Sequence, residues 1–387
     1  MPNQLFPSGA VASRRMRIAL IALGGMVLMA GLWTGLLRLG WNGLAAIAPN
    51  PSVHGPLMVC GFLGTLISLE RAVALNRRWT YAVPALVGLG AFAALLGIAP
   101  PGGPLLITLG SAGLVIIFGV VLSIQAAPFA VVMAAGAVAW AVGNGLWLTG
   151  WPIPYLTPWW LGFLVLTIAG ERLELSRMMQ HASYVRYGFM TCIVVLGLGL
   201  ACSLVSLDTG ARILGAGLVA LGGWLIAYDI ARHTVTHAGL PRFMAVCLLM
   251  GYGWLLVGGG LMLTYGWPTA GLLYDAMLHT VFVGFVFSMI FAHAPVIFPS
   301  VLDIDIPYRP LFYGPVALLH LSLVARIVGD LWPYATLRLI GGWSNAAAIL
   351  LFLGATAYSI IQAPPSPPDA PPKESLDLDG GRSLAPR

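Results

Sequence analysis

Seven histidines punctuate a chain of 387 residues in which only 8% are charged. Four of them, His54, His279, His293 and His320, lie in or against long apolar runs, where an ionisable side chain is costly and marks a functional site by default. Neutral imidazoles are the preferred protein ligands of heme iron and good ligands of copper. His279 follows Asp275 by four residues on one helical face, the spacing at which a carboxylate orients a ligating imidazole. Met58 follows His54 by four residues and sets a soft thioether on the same face. His181, His233 and His237 fall in basic connecting segments and read as solvated.

The elements that carry these side chains follow from composition. With 59% hydrophobic residues and a mean hydropathy of +0.90, the apolar side chains exceed what one soluble core hides, so the bilayer is the solvent and the fold is all-α. About 20 apolar residues cross the hydrocarbon. Such runs fall near 18–39, 54–75, 80–98, 104–124, 127–149, 156–175, 187–206, 211–231, 242–264, 271–298, 309–329 and 335–361, twelve in all. An N-terminus in the cytoplasm assigns fifteen of the nineteen basic residues to that side and leaves only Arg38, Arg212, Arg326 and Arg338 outside. That asymmetry is the positive-inside pattern of a chain with both ends inside. The net charge of +6 therefore reports topology and points away from nucleic acid. Residues 1–17 read as a basic cytoplasmic N-terminus with no removable signal, 18–361 as the membrane domain, and 362–387 as a disordered Pro-rich tail. Cys60, Cys192, Cys202 and Cys247 lie within spans, lack Cys-x-x-Cys spacing and read as small hydrophobes.

Depth sorts the membrane histidines. His279 lies some eight residues from the outer end of span ten and His320 some nine from the outer end of span eleven, so their depths match. His54 opens span two from the same side, and the following Gly55-Pro56 lets the helix start tilt inward. The outer half of the membrane thus gathers His54, His279 and His320. His293 lies about 21 Å farther along span ten and, by α-helical geometry, within about 40° of the face of His279. These two cannot share a metal.

One frame recurs three times: GFLGTLISLE (Gly61 to Glu70), GFLVLTIAGE (Gly162 to Glu171) and GFVFSMIFAH (Gly284 to His293). The copies fall on spans two, six and ten, so the repeating unit is four helices and the implied architecture is three arcs of four. Small Gly lets helices approach closely. Glu70-Arg71 and Glu171-Arg172 read as boundary pairs at the water interface, and His293 replaces the acid in the third copy.

A twelve-span chain with three arcs and an outer histidine on both spans two and ten resembles the heme-copper oxidase catalytic subunit. That resemblance implies a low-spin heme held by His54 and His279. Spans six and seven carry no intramembrane histidine, and span ten lacks a second closely spaced one. The binuclear centre and dioxygen reduction are therefore not expected. The segments HGPLMVCGFLGTLISLERAVAL (His54 to Leu75), LHTVFVGFVFSMIFAHAPVIFPSVL (Leu278 to Leu302) and ALLHLSLVARIVGDLWP (Ala317 to Pro333) are similar to the NnrS family. That likeness implies a heme- and copper-containing protein of the bacterial inner membrane, acting in nitric oxide metabolism with nitric oxide or a redox partner. On it, His54 and His279 would ligate a b-type heme, and His320 would be an alternative axial ligand or join His279 in a copper site. Arg326 and Arg338 would pair with heme propionates or snorkel to the interface. A single His54 stands where a histidine pair is expected, which bears on copper more than on heme. The residues are also compatible with a secondary transporter in which His279, Asp275 and His293 relay protons.

Overall fold

The computed structural model describes residues 12–41, 51–98, 101–179 and 182–363. Most of the expected basic N-terminus, nearly all of the Pro-rich tail and His181 lie outside them. Within the described residues there are twelve helices long and apolar enough to cross a membrane. They are α1 (Arg14–Arg38), α2 (Pro56–Leu75), α3 (Arg78–Leu95), α4 (Gly102–Ile124), α5 (Pro128–Leu148), α6 (Ile153–Ser176), α7 (Ser183–Ser203), α8 (Leu207–Tyr228), α9 (Leu240–Tyr265), α10 (Leu272–Leu302), α11 (Pro310–Leu331) and α12 (Ala335–Ile361). No strand occurs among the described residues. The chain is a multi-pass, all-α membrane protein, and its apolar outer faces agree: Leu89, Ile116, Val194 and Leu321 are each more than half exposed, a placement only lipid makes favourable.

Helix ends follow local chemistry. Ser13 caps α1 by accepting from the Met16 N–H at 3.3 Å. Asn76 and Asp303 end α2 and α10 in the left-handed conformation, at φ 49° and 56°, which Asn and Asp adopt more readily than other non-glycine residues. Observed spans differ from the expected ones by a few residues at their ends. The shifts reach four residues, as in α10, which runs to Leu302 through Pro295 and Pro299 where an exit near residue 298 was expected.

The threefold pattern is visible in which helices are central. Spans α2, α6 and α10 are the most buried, at 61%, 78% and 67% of their most apolar windows, so these three form the middle and the other nine surround them. The recurring glycines explain the close approach. A Cβ on Gly61 would sit 2.6 Å from Val27 of α1 and 2.7 Å from Ala91 of α3, one on Gly162 would sit 2.6 Å from Leu200 of α7, and one on Gly284 would strike Trp254 of α9. Each repeat glycine therefore seats a central helix against its outer neighbours. The ring closes where Leu39, just past α1, packs on Gly342 of α12, and Arg14 Nε ties α1 to the central α10 by donating to the Leu302 carbonyl at 2.9 Å.

Two of the central helices are not α-helical throughout. Pro56–Leu63 of α2 and Thr280–Phe287 of α10 are π-helical, and Phe62 and Phe287 face each other across them with ring centroids 6.3 Å apart. Wide π turns favour functional positions. The π stretch lies between His279 and His293, so the facing angle computed from pure α geometry does not carry through it.

Candidate functional site

His54 stands at the start of α2 and His279 one residue before the π stretch of α10, and the two helices bring the rings together. Their centroids are 6.4 Å apart and their planes are 13° from parallel. Each Nδ1 is engaged. His54 Nδ1–H donates to the Gly31 carbonyl of α1 at 2.8 Å, and His279 Nδ1–H donates to the Asp275 carbonyl at 2.7 Å. That fixes both tautomers and leaves Nε2 as the lone-pair nitrogen of each ring. Both residues line one cavity of about 460 Å³, a size suited to an organic ligand rather than a bare ion.

The walls are apolar and the rim is cationic. Met58, Phe282, Phe287 and Ile349 contribute to the walls, and Arg38, Arg326 and Arg338 line the same space. Arg326 is held bidentate by Asp275, Nε to Oδ2 at 2.8 Å and Nη2 to Oδ1 at 2.9 Å. Arg338 stands 2.9 Å from Asp330 Oδ1, without the alignment of a hydrogen bond. Arg38 has no ion-pair partner among the described residues. Arranged so, the rim suits an amphipathic anion with its apolar body inside and its charges outward.

Close approach at α1 is part of the site. A Cβ on Gly35 would lie 2.7 Å from His54 Cε1 and 2.9 Å from Nδ1, and one on Gly31 would lie 2.5 Å from Met58 Sδ. Glycine at these two positions lets the His54 imidazole and the Met58 thioether rest on the α1 backbone.

Three sequence expectations change. Asp275 was expected to orient His279 with its carboxylate. Its backbone carbonyl does so instead, while its carboxylate serves Arg326 and stays 3.4 Å from His279 Nδ1. His320 was expected to join His54 and His279. It is 5% exposed, absent from the cavity lining, and its Nδ1 accepts from Trp254 Nε1 at 2.9 Å. Among the described residues no three His, Cys, Asp or Glu side chains come together as a metal site. Arg326 and Arg338 line the cavity, as expected of groups that meet a ligand, and each also faces a carboxylate. One of the two expected boundary pairs differs: Glu70 and Arg71 pair at 2.8 Å, but Arg172 is 2% exposed and turns away from Glu171 to Asp229 at 2.9 Å. His233 and His237 are exposed, as placed from sequence, and Cys60, Cys192 and Cys247 are buried while Cys202 is partly so. Arg38, Gly31 and Gly35 were not singled out as site residues. Only their position on the outer third of α1, level with His54, signals them.

A ring of nine helices around a central three, with an imidazole pair lining a cavity at one end of the core, defines a multi-pass membrane protein with an internal cavity. The chain belongs to the family described as Domain of unknown function (DUF8744), whose family model matches residues 17–361. No curated protein matches it.

Proposed function

We propose that the cavity binds a b-type heme with His54 and His279 as its axial ligands, in a protein of the bacterial inner membrane that handles or responds to nitric oxide. One observation carries the reading. The two rings stand 6.4 Å apart and nearly parallel with both Nδ1 atoms tied back, so each keeps an Nε2 lone pair that would hold a heme iron in the shared cavity. The residues fit the group in other respects: apolar walls for the macrocycle, and Arg38 with the Asp-bound Arg326 and Arg338 for its carboxylates. When bound, the heme supplies one-electron chemistry and affinity for nitric oxide. The chain's own residues fix the imidazole tautomers, exclude water and neutralise the rim. The nitric oxide role rests on the likeness to NnrS. Copper loses its argument with His320 outside the cavity. The fifteen-to-four division of basic residues orients the imidazole end outward and both termini inward.

An absorption spectrum of the purified full-length protein, as isolated and after heme reconstitution, tests this. The expected result is a Soret band with the visible bands of a six-coordinate low-spin heme. A protein that stays colourless in both preparations, with pH-dependent uptake into vesicles, would replace the reading with proton-coupled transport. A finer check uses the glycine beneath His54: Gly35→Val pushes the ring off its seat, so the spectrum should turn five-coordinate and high-spin while heme stays bound through His279. An unchanged low-spin spectrum would remove His54 from the ligand set.

A further inference from the structure

The opposite end of the central trio holds ionisable side chains that the imidazole cavity does not use. Arg71 of α2 donates from one nitrogen, Nη2, to Glu70 Oε1 at 2.8 Å and to Glu171 Oε1 of α6 also at 2.8 Å. Its Nε is buried without an acceptor among the described residues. Arg172, the next residue on α6, turns the other way. Its Nε and Nη2 donate to the Asp229 carboxylate at 2.9 and 3.4 Å, and its Nη1 donates to His293 Nε2 of α10 at 3.1 Å. The third-copy histidine and the two acids of the sequence repeat therefore meet. Glu70, Glu171 and His293 line one cavity of about 120 Å³ with otherwise mostly apolar walls.

Charge counting shows what the cluster lacks. His293 donates Nδ1–H to the Met289 carbonyl at 2.7 Å and accepts from Arg172 at Nε2. An imidazolium there would set N–H against N–H, so the ring is neutral. Asp229 takes two nitrogens of Arg172 and the Ala231 N–H and is fully served as an anion. The remaining negative charge falls on Glu70 and Glu171, which share a single guanidinium nitrogen. The other ionisable groups within electrostatic reach are Glu174 on the exposed side of α6 and Tyr252 of α9; α1 presents Ile21 to the cavity and α10 presents apolar side chains besides His293. Three carboxylates thus face two guanidiniums around a half-buried pocket with mostly apolar walls, and one more positive charge balances them.

We infer that Glu70 and Glu171, clamped by Arg71, form a proton-binding site that takes up one shared proton from the phase opposite the imidazole pair. Hydronium gives its proton to a carboxylate oxygen and leaves as water, and release reverses the step, so no further reactant is needed. A proton suits the site better than a metal cation because the facing carboxylate oxygens are already occupied by Arg71, and the cluster is not a metal site. Infrared titration of the full-length protein in lipid vesicles, in H2O and D2O, tests this whether or not heme is bound. The expected result is one protonated-carboxyl stretching band that shifts in D2O and titrates with pH. It should be lost in Glu70→Gln and in Glu171→Gln, because either amide leaves Arg71 one carboxylate to neutralise, and it should survive Glu174→Gln. Should an amide variant fail to fold, Glu70→Asp and Glu171→Asp should each move the band without abolishing it. No titrating band in the wild type, or a band untouched by every change at residues 70 and 171, overturns the assignment.

Discussion

Replacing either His54 or His279 by alanine should abolish the six-coordinate low-spin spectrum, and replacing both should leave a colourless protein. Changes to groups that merely orient a ligand cost roughly 10–100-fold in metal affinity, so removing a ligand outright should cost at least as much. The two single variants should not be equivalent in structure. His54 is anchored across helices to the α1 carbonyl of Gly31, so its loss also removes a hydrogen bond between α1 and the start of α2. The His279 anchor lies within its own helix, and its loss disturbs only the cavity. His320→Ala supplies the decisive contrast. His320 is outside the cavity and bonded to Trp254, so the variant should keep the full spectrum. Retention of color in the His54 and His279 variants together with its loss in His320→Ala would reverse the ligand assignment. The measurement is heme content and absorption spectrum on detergent-purified, monodisperse protein.

Arg172→Ala should destabilise the bundle by about 3–5 kcal/mol, the cost of leaving a buried charge without its partner. Arg172 is 2% and Asp229 1% exposed, so the stranded carboxylate has no water to turn to. Exchanging both, Arg172→Met with Asp229→Leu, should recover most of the loss, because the pair is removed from the interior as a unit. What remains should be the hydrogen bond to His293, about 1 kcal/mol. The exposed pair Arg212 and Asp208, at 43% and 59%, gives the control: Arg212→Ala should cost less than about 1 kcal/mol. Thermal unfolding followed by fluorescence in detergent orders the four proteins. Equal losses for Arg172→Ala and Arg212→Ala would show that the buried pair is solvated in the folded protein.

The parts legible in sequence are those set by periodicity and solvent. Twelve apolar stretches bounded by charge or by Gly and Pro locate the spans, because a backbone in lipid must satisfy its hydrogen bonds within the segment. The three Gly-Phe frames single out α2, α6 and α10, the helices that prove central. Depth puts His54 and His279 in one leaflet, but it puts His320 there too, so it narrows the candidates without selecting the pair. Side-chain direction is far less legible. On a helix, consecutive residues point about 100° apart, so Glu171 and Arg172 serve different partners, Arg71 and Asp229, although adjacency suggests a local pair. The same difficulty affects Asp275. Four residues before His279 it is well placed to orient the ring, yet the carbonyl is nearer than the carboxylate, and Arg326, fifty-one residues later, claims the charge. His320 matches His279 in depth but lies turned toward Trp254, a rotation that sequence depth does not encode. The π stretches have no compositional signal beyond Pro56, whose missing N–H loosens one turn.

One side chain, Leu63, borders both cavities. Val286 faces the carboxylate hollow and Phe287 the imidazole hollow beside it. The two hollows therefore approach each other inside the helical core, and little more than these apolar side chains separates whatever the imidazoles hold from a charge on Glu70 or Glu171.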